Sequence, residues 1–276
     1  MYILMTALSG LGDSIFSSSI DESSDNINIF LRQNPLIFSD IDDTIICSKG
    51  KWPKGIDSSC GGEVLNDGMY PRVGEFLKHI GGNSIGILTA RPEMLTGRLK
   101  EHFENSSEFS NNGLTIGPIL SGCITRSLVR GFSNTSLGMC KYIRLNDFIR
   151  THLDIHRNRK RIIFVGDNGQ GDEYAATLLL QNNEIYKHIQ KIYIHRVQER
   201  ASPFEAGLLD ISNHDEKVEY FGNYGELIDT MPVAKGRKRS GRRKKRTQRR
   251  RRRRRRRKSK ERESRRKSRS KPNKSN

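Results

Sequence analysis

The sequence predicts an α/β fold: a doubly wound, Rossmann-like parallel sheet of five strands. Three observations predict it. Short β-type runs recur with room for a helix between them. Four of the five are near-continuous apolar runs, as strands covered on both faces require. Carboxylates and a threonine sit where the runs end, the side on which such sheets bind ligands. The runs are "PLIFSD" at 35–40, "SIGILTA" at 84–90, "LTIGPILSG" at 114–122, "RIIFVGD" at 161–167 and "KIYIHRV" at 191–197.

Residues 1–34 read as a polar, poorly specified lead-in. Their "MYILMTALSGLG" start lacks the cationic residues and cleavage site of a signal peptide. No later segment approaches the ~20 apolar residues of a membrane span, so no transmembrane segment and a soluble, intracellular protein are expected. The domain itself should run from 35 to 230. Its helices are expected at 71–80, 92–104, 137–157, 172–188 and 222–230. In the third of these, Met139, Tyr142, Ile143, Leu145, Phe148, Ile149 and Leu153 recur at helical spacing and describe one core-facing stripe.

Charge divides the chain. Of its 50 Lys+Arg and 31 Asp+Glu, residues 235–276 hold 27 and 2, so a mildly acidic body carries a strongly basic tail. With nine consecutive arginines, Arg249 to Arg257, and almost nothing apolar, the tail cannot bury enough surface to offset ordering its backbone. It is expected to be disordered in isolation. Cys47, Cys60, Cys123 and Cys140 show no CxxC pairing, which argues against zinc and for reduced thiols.

The chemistry gathers at "SDIDDT", where Asp40, Asp42 and Asp43 crowd the end of the first strand. Carboxylates this close repel one another and need a cation, a shared proton or solvent. If the sheet forms, Asp40 and Asp42 meet Thr89 from the second strand and Asp167 from the fourth, although Asp40 and Asp167 are 127 residues apart. Three converging carboxylates suit a hard divalent cation, magnesium above all. A lone DxDxT reads equally well as a solvated turn; "GDNGQGD" at 166–172 argues against that here.

"DIDDT" at 40–44, "ILTAR" at 87–91, Lys141 and "GDNGQGD" resemble, in order, the four motifs of the haloacid dehalogenase superfamily of aspartate-nucleophile phosphotransferases. "SDIDDTI", "LTARP", "FVGDNGQGD" and "IYIHRVQE" resemble more narrowly the branch of actin-patch-type phosphatidate phosphatases; the likeness covers roughly residues 36–200. The resemblance implies Asp40 as the nucleophile, transiently phosphorylated and bound to magnesium. Asp42 would be the general acid and then base, with its backbone carbonyl on the metal. Thr89 would hydrogen-bond the transferred phosphoryl group and Lys141 neutralise its charge. Asp167 would complete the metal site, with Asp172 supporting it directly or through water, and Thr44 would brace the nucleophile loop or touch substrate.

Other residues keep two readings. Lys141 by itself is an ordinary lysine on an amphipathic helix. Asp43 is a supporting or a solvent-facing carboxylate, expected to tolerate replacement. Arg91 contacts substrate or merely starts a helix beside Pro92. His195 and Arg196 flank the crevice or serve structure.

Members of this superfamily select substrates with cap insertions. The intervals 45–83 and 92–140 leave room for a flap carrying Trp52 but not for a large cap domain. An open crevice suits a phosphate on something large: a lipid such as phosphatidate, a protein or a nucleic-acid end. The tail would attract a polyanion, either an anionic membrane or RNA or DNA, or act as a nuclear address, with cytoplasmic or nuclear placement to match. A third reading is a polyanion-binding protein with a vestigial phosphatase fold; none of the expected catalytic positions is substituted, which speaks against it.

Overall fold

The computed structural model describes residues 24–48, 64–91, 96–122, 133–153, 160–197 and 216–232. The chain divides into units at 1–231 and 232–276. The basic tail, most of the lead-in and the flap with Trp52 lie outside the described residues.

In chain order the elements are α1 (Ser24–Leu31), β1 (Leu36–Ser39), α2 (Val73–His79), β2 (Ser84–Leu88), α3 (Leu99–Glu104), α4 (Ser107–Asn112) and β3 (Thr115–Leu120). They continue with α5 (Asn134–His152), β4 (Ile162–Asp167), α6 (Asp172–Gln181), α7 (Asn183–Tyr186), β5 (Ile189–His195), β6 (Val218–Phe221) and α8 (Tyr224–Thr230). The sheet has six strands rather than the five expected, in the order β3-β2-β1-β4-β5-β6, and all five pairings are parallel. The added strand, β6, is "VEYF", a four-residue edge strand that is only half buried, so it carries no continuous apolar run to betray it.

Alternation along each strand splits the core into two layers. Ile37, Ile85, Ile87, Ile163, Val165 and Tyr193 face α2, α3, α4 and α8. Phe38, Leu88, Phe164, Ile192 and Ile194 face α1, α5, α6 and α7. Pro118, which has no N–H to donate, is tolerated because β3 is an edge strand; the register with β2 slips there, between Ile85↔Ile116 and Ile87↔Ile119.

Three local expectations change. Helix α1 forms within the supposed lead-in and buries Phe30 against Phe38 and Phe148; its "SDNINIFL" shows no helical stripe, because Phe30 is the fully buried residue. The expected helix at 172–188 breaks at Asn182, whose side chain caps α7 by accepting from the Glu184 and Ile185 N–H groups. Helix α5 starts at 134 because Ser133 caps it, and its buried face is Leu137, Gly138, Cys140, Lys141, Leu145, Phe148 and Ile149. Met139, Tyr142 and Ile143 are only partly buried, so the helix is rotated from the expected stripe and its lysine points inward.

Cys47 is disulfide-bonded, to a partner outside the described residues, against the expectation of reduced thiols. Among the described residues no helix is long and apolar enough to cross a membrane.

Candidate active site

The strand order reverses between β1 and β4, which creates the crevice where doubly wound sheets hold ligands. Asp40 follows β1, Asp167 ends β4 and Thr89 follows β2, and all three are buried. Asp172 opens α6 and folds back against β4. Its carboxylate occupies the space a side chain at Gly166 would need: a Cβ there would lie 2.6 Å from the Cβ of Asp172. Oδ2 of Asp172 accepts the Asp167 N–H at 3.1 Å.

Lys141 reaches this cluster from α5 with its side chain wholly enclosed. Its Nζ lies 2.6 Å from Asp172 Oδ1 and 3.0 Å from Asp40 Oδ1. That reach depends on close helix packing: a Cβ at Gly138 would sit 2.2 Å from the Gly171 carbonyl oxygen. Burial alone would drive the ammonium toward neutrality, but Asp172, Asp40 and Asp167 together outweigh it and hold the proton on above the usual lysine range. The surface reading of this lysine is therefore excluded.

Carboxylate oxygens of Asp40, Asp167 and Asp172 lie within 4.8 Å of one another. Burial, reinforced by Asp172 and Asp42, raises the Asp40 carboxyl well above its ordinary value despite Lys141; burial and Asp172 do the same to Asp167. Asp40 Oδ2 and Asp167 Oδ2 are buried and have no hydrogen-bond partner among the described residues. Asp167 Oδ1, by contrast, accepts from the Gly169 and Gln170 N–H groups, which fixes the carboxylate's direction. Two buried, partnerless oxygens in a cluster with one lysine lack a counter-charge, and an all-oxygen set of this kind fits magnesium. Asp172 has both oxygens engaged, so its place is to support Asp167 and Lys141.

Asp42 is held from the other side. Arg91 grips it in a fork, Nε donating to Oδ2 at 2.7 Å and Nη2 to Oδ1. Burial raises the Asp42 carboxyl, with Arg91 opposing. Arg91 thus does more than start a helix beside Pro92. Its N–H donates to Thr89 Oγ1 at 3.1 Å, leaving the threonine's own hydroxyl hydrogen to be donated elsewhere.

Asp43 is not solvent-facing. It adopts φ 61°, a left-handed conformation that aspartate tolerates better than most residues. Its Oδ1 accepts the Ser48 N–H at 2.9 Å, and its Oδ2 accepts from Ser48 Oγ at 2.9 Å and Gln170 Nε2 at 2.8 Å. It therefore ties the loop after β1 to the loop after β4. Beneath it, His195 Nδ1 lies 2.9 Å from the Asp43 carbonyl oxygen and Nε2 lies 3.1 Å from that of Gly222. Tyr224 donates to the Thr44 carbonyl at 2.8 Å. His195 is thus a structural post, and burial pushes its pKa down. Arg196 is exposed, 5.0 Å from the Tyr220 ring center. Thr44 is buried in the loop, its hydroxyl partnerless among the described residues.

Sequence reasoning missed Ser48, Gln170 and Tyr224. Gln170 lies inside "GDNGQGD" and was visible as part of a motif, but its partner is 127 residues away; Tyr224 carries no local signal. No family model matches the chain, and neither do the curated proteins or solved structures compared with it, so the functional reading rests on the constellation of Asp40, Asp42, Thr89, Lys141, Asp167 and Asp172.

Proposed function

We propose that this protein is a magnesium-dependent phosphatase of the haloacid dehalogenase type, acting through an aspartyl-phosphate on a lipid phosphate, phosphatidate foremost. The observation that carries the reading is the pair of buried, partnerless oxygens, Asp40 Oδ2 and Asp167 Oδ2, beside an enclosed lysine where the strand order reverses.

Asp40, Asp167 and the backbone carbonyl of Asp42 would hold the magnesium ion, with Asp172 in support. When bound, the ion supplies the positive charge that lets a carboxylate approach a phosphate. Asp40 attacks phosphorus and forms an acyl phosphate as the bond to the alcohol oxygen breaks. Asp42 gives its proton to that departing oxygen, then takes one from the water that cleaves the phosphoenzyme. Its carboxyl, raised by burial against the opposing Arg91, holds a proton more readily than an ordinary aspartate. Lys141 offsets charge on Asp40, and the Thr89 hydroxyl donates to a phosphoryl oxygen. Asp43, Gln170, His195 and Tyr224 keep the nucleophile loop in register with the loop after β4.

The short intervals after β1 and between β2 and β4 support a substrate too large to be enclosed. The basic tail would hold the enzyme to a polyanionic surface, membrane or nucleic acid, and set a cytoplasmic or nuclear location; the chemistry does not need it. Magnesium-dependent release of phosphate from phosphatidate vesicles is expected from the full chain and not from Asp40→Asn. Release that persists in Asp40→Asn refutes the mechanism. Turnover of a phosphopeptide or a 3′-phosphorylated oligonucleotide instead of the lipid moves the substrate class and leaves the mechanism standing.

A further inference from the structure

The fork between Arg91 and Asp42 conflicts with the work assigned to Asp42. A carboxylate with both oxygens accepting from one guanidinium is oriented on that cation rather than on a leaving oxygen. Asp42 is the enclosed partner, with 3% of its side chain exposed against 26% for Arg91, so the cation is the more accessible member of the pair. A guanidinium fork fits two phosphate oxygens as well as it fits two carboxylate oxygens. Arg91 also shares a turn with Thr89, through the 3.1 Å bond from its N–H to Thr89 Oγ1. A phosphoryl group donated to by Thr89 is therefore delivered to the turn that carries Arg91.

We propose that Arg91 is a substrate-operated latch: it holds Asp42 in the free enzyme, and an arriving phosphate monoester takes the guanidinium and releases Asp42 toward the leaving oxygen. The inference rests on the phosphatase reading above and adds to it a coupling between substrate binding and the freedom of the proton donor. Arg91 acts on the reaction in two positions, on Asp42 before binding and on phosphate after it. A standing structural ion pair would occupy only the first.

The test is a double-mutant cycle on binding of inorganic phosphate to the full chain with magnesium, read by calorimetry rather than turnover. Asp42→Asn frees Arg91 and removes a like charge; Arg91→Gln removes the cation. The latch predicts that Asp42→Asn tightens phosphate about tenfold when Arg91 is present and less than about twofold in the Arg91→Gln background. Phosphate bound by the basic tail is common to all four proteins and cancels. Equal tightening in both backgrounds overturns the latch and leaves the phosphatase reading intact, because Asp42 then acts by repulsion alone. Absence of magnesium-dependent phosphate binding in all four overturns both. Arg91→Lys, which keeps the charge without the fork, should retain only part of the coupling, and it replaces Arg91→Gln in the cycle if that variant does not fold.

Discussion

Lys141→Met tests the site most severely, because it removes a cation enclosed among three buried aspartates while keeping most of the side chain's volume. The ammonium lies 2.6 Å from Asp172 and 3.0 Å from Asp40. At an effective dielectric of about 20 each of these ion pairs represents roughly 5.5–6.5 kcal/mol of attraction. Much of this is offset by the desolvation of the ions, so the gross figure overstates the net effect. Removing one partner, however, leaves the others buried and uncompensated, at about 3–5 kcal/mol. In a domain of about 150–250 residues this lowers Tm by roughly 6–20 °C.

The destabilisation should also depend on pH. In the metal-free protein burial already raises Asp40 and Asp167. A carboxyl raised in the folded state imposes no penalty below its unfolded pKa, and stability is lost as pH climbs toward the folded value. Without Lys141 those folded values rise further. Thermal melts in EDTA should therefore show a deficit that widens as pH rises above the ordinary carboxylate range, and magnesium should narrow it. A deficit under about 1 kcal/mol, or one that does not grow as pH rises, would refute the view that the ammonium compensates the cluster.

Two further substitutions probe the supports. Asp43→Ala leaves the Ser48 N–H, the Ser48 hydroxyl and Gln170 Nε2 without their acceptor and should cost about 2–4 kcal/mol in chemical denaturation, with a lower turnover number. Asp43→Asn, which keeps one oxygen and accepts the left-handed backbone, should be milder; full stability in Asp43→Ala would show that the loop is held by other interactions. Gly138→Ala sets a methyl 2.2 Å from the Gly171 carbonyl oxygen, forcing α5 outward. It should cost about 1–3 kcal/mol and reduce phosphatase activity by displacing Lys141; unchanged melting and rate would refute that packing argument.

Five strands and the ends that carry Asp40, Thr89 and Asp167 were legible because buried parallel strands write their own apolar runs, and a carboxylate at the end of one is conspicuous. Asp172 and Gln170 were visible only as members of a loop motif. The phase of α5 differs from the expected stripe: Met139 and Ile143 fit the apolar spacing but are only partly buried, and no hydrophobic pattern can signal a lysine that turns inward to meet Asp40 and Asp172. Strand β6 and helix α1 were not legible either, one half buried at a sheet edge, the other with Phe30 as its one fully buried side chain among the described residues and Leu31 only partly buried beside it.

By itself the sequence determined the alternation of strands and helices, the division into an acidic body and a basic tail, and the residue types at the ends of the strands, since each is a property of a few consecutive residues. The tertiary structure alone decided which contacts the groups in the crevice make with one another. The Arg91 fork on Asp42, the two anchors of Lys141 and the bridge from Asp43 to Gln170 join residues 31 to 127 positions apart. Such pairings come from sheet order and close helix packing, which no local pattern encodes.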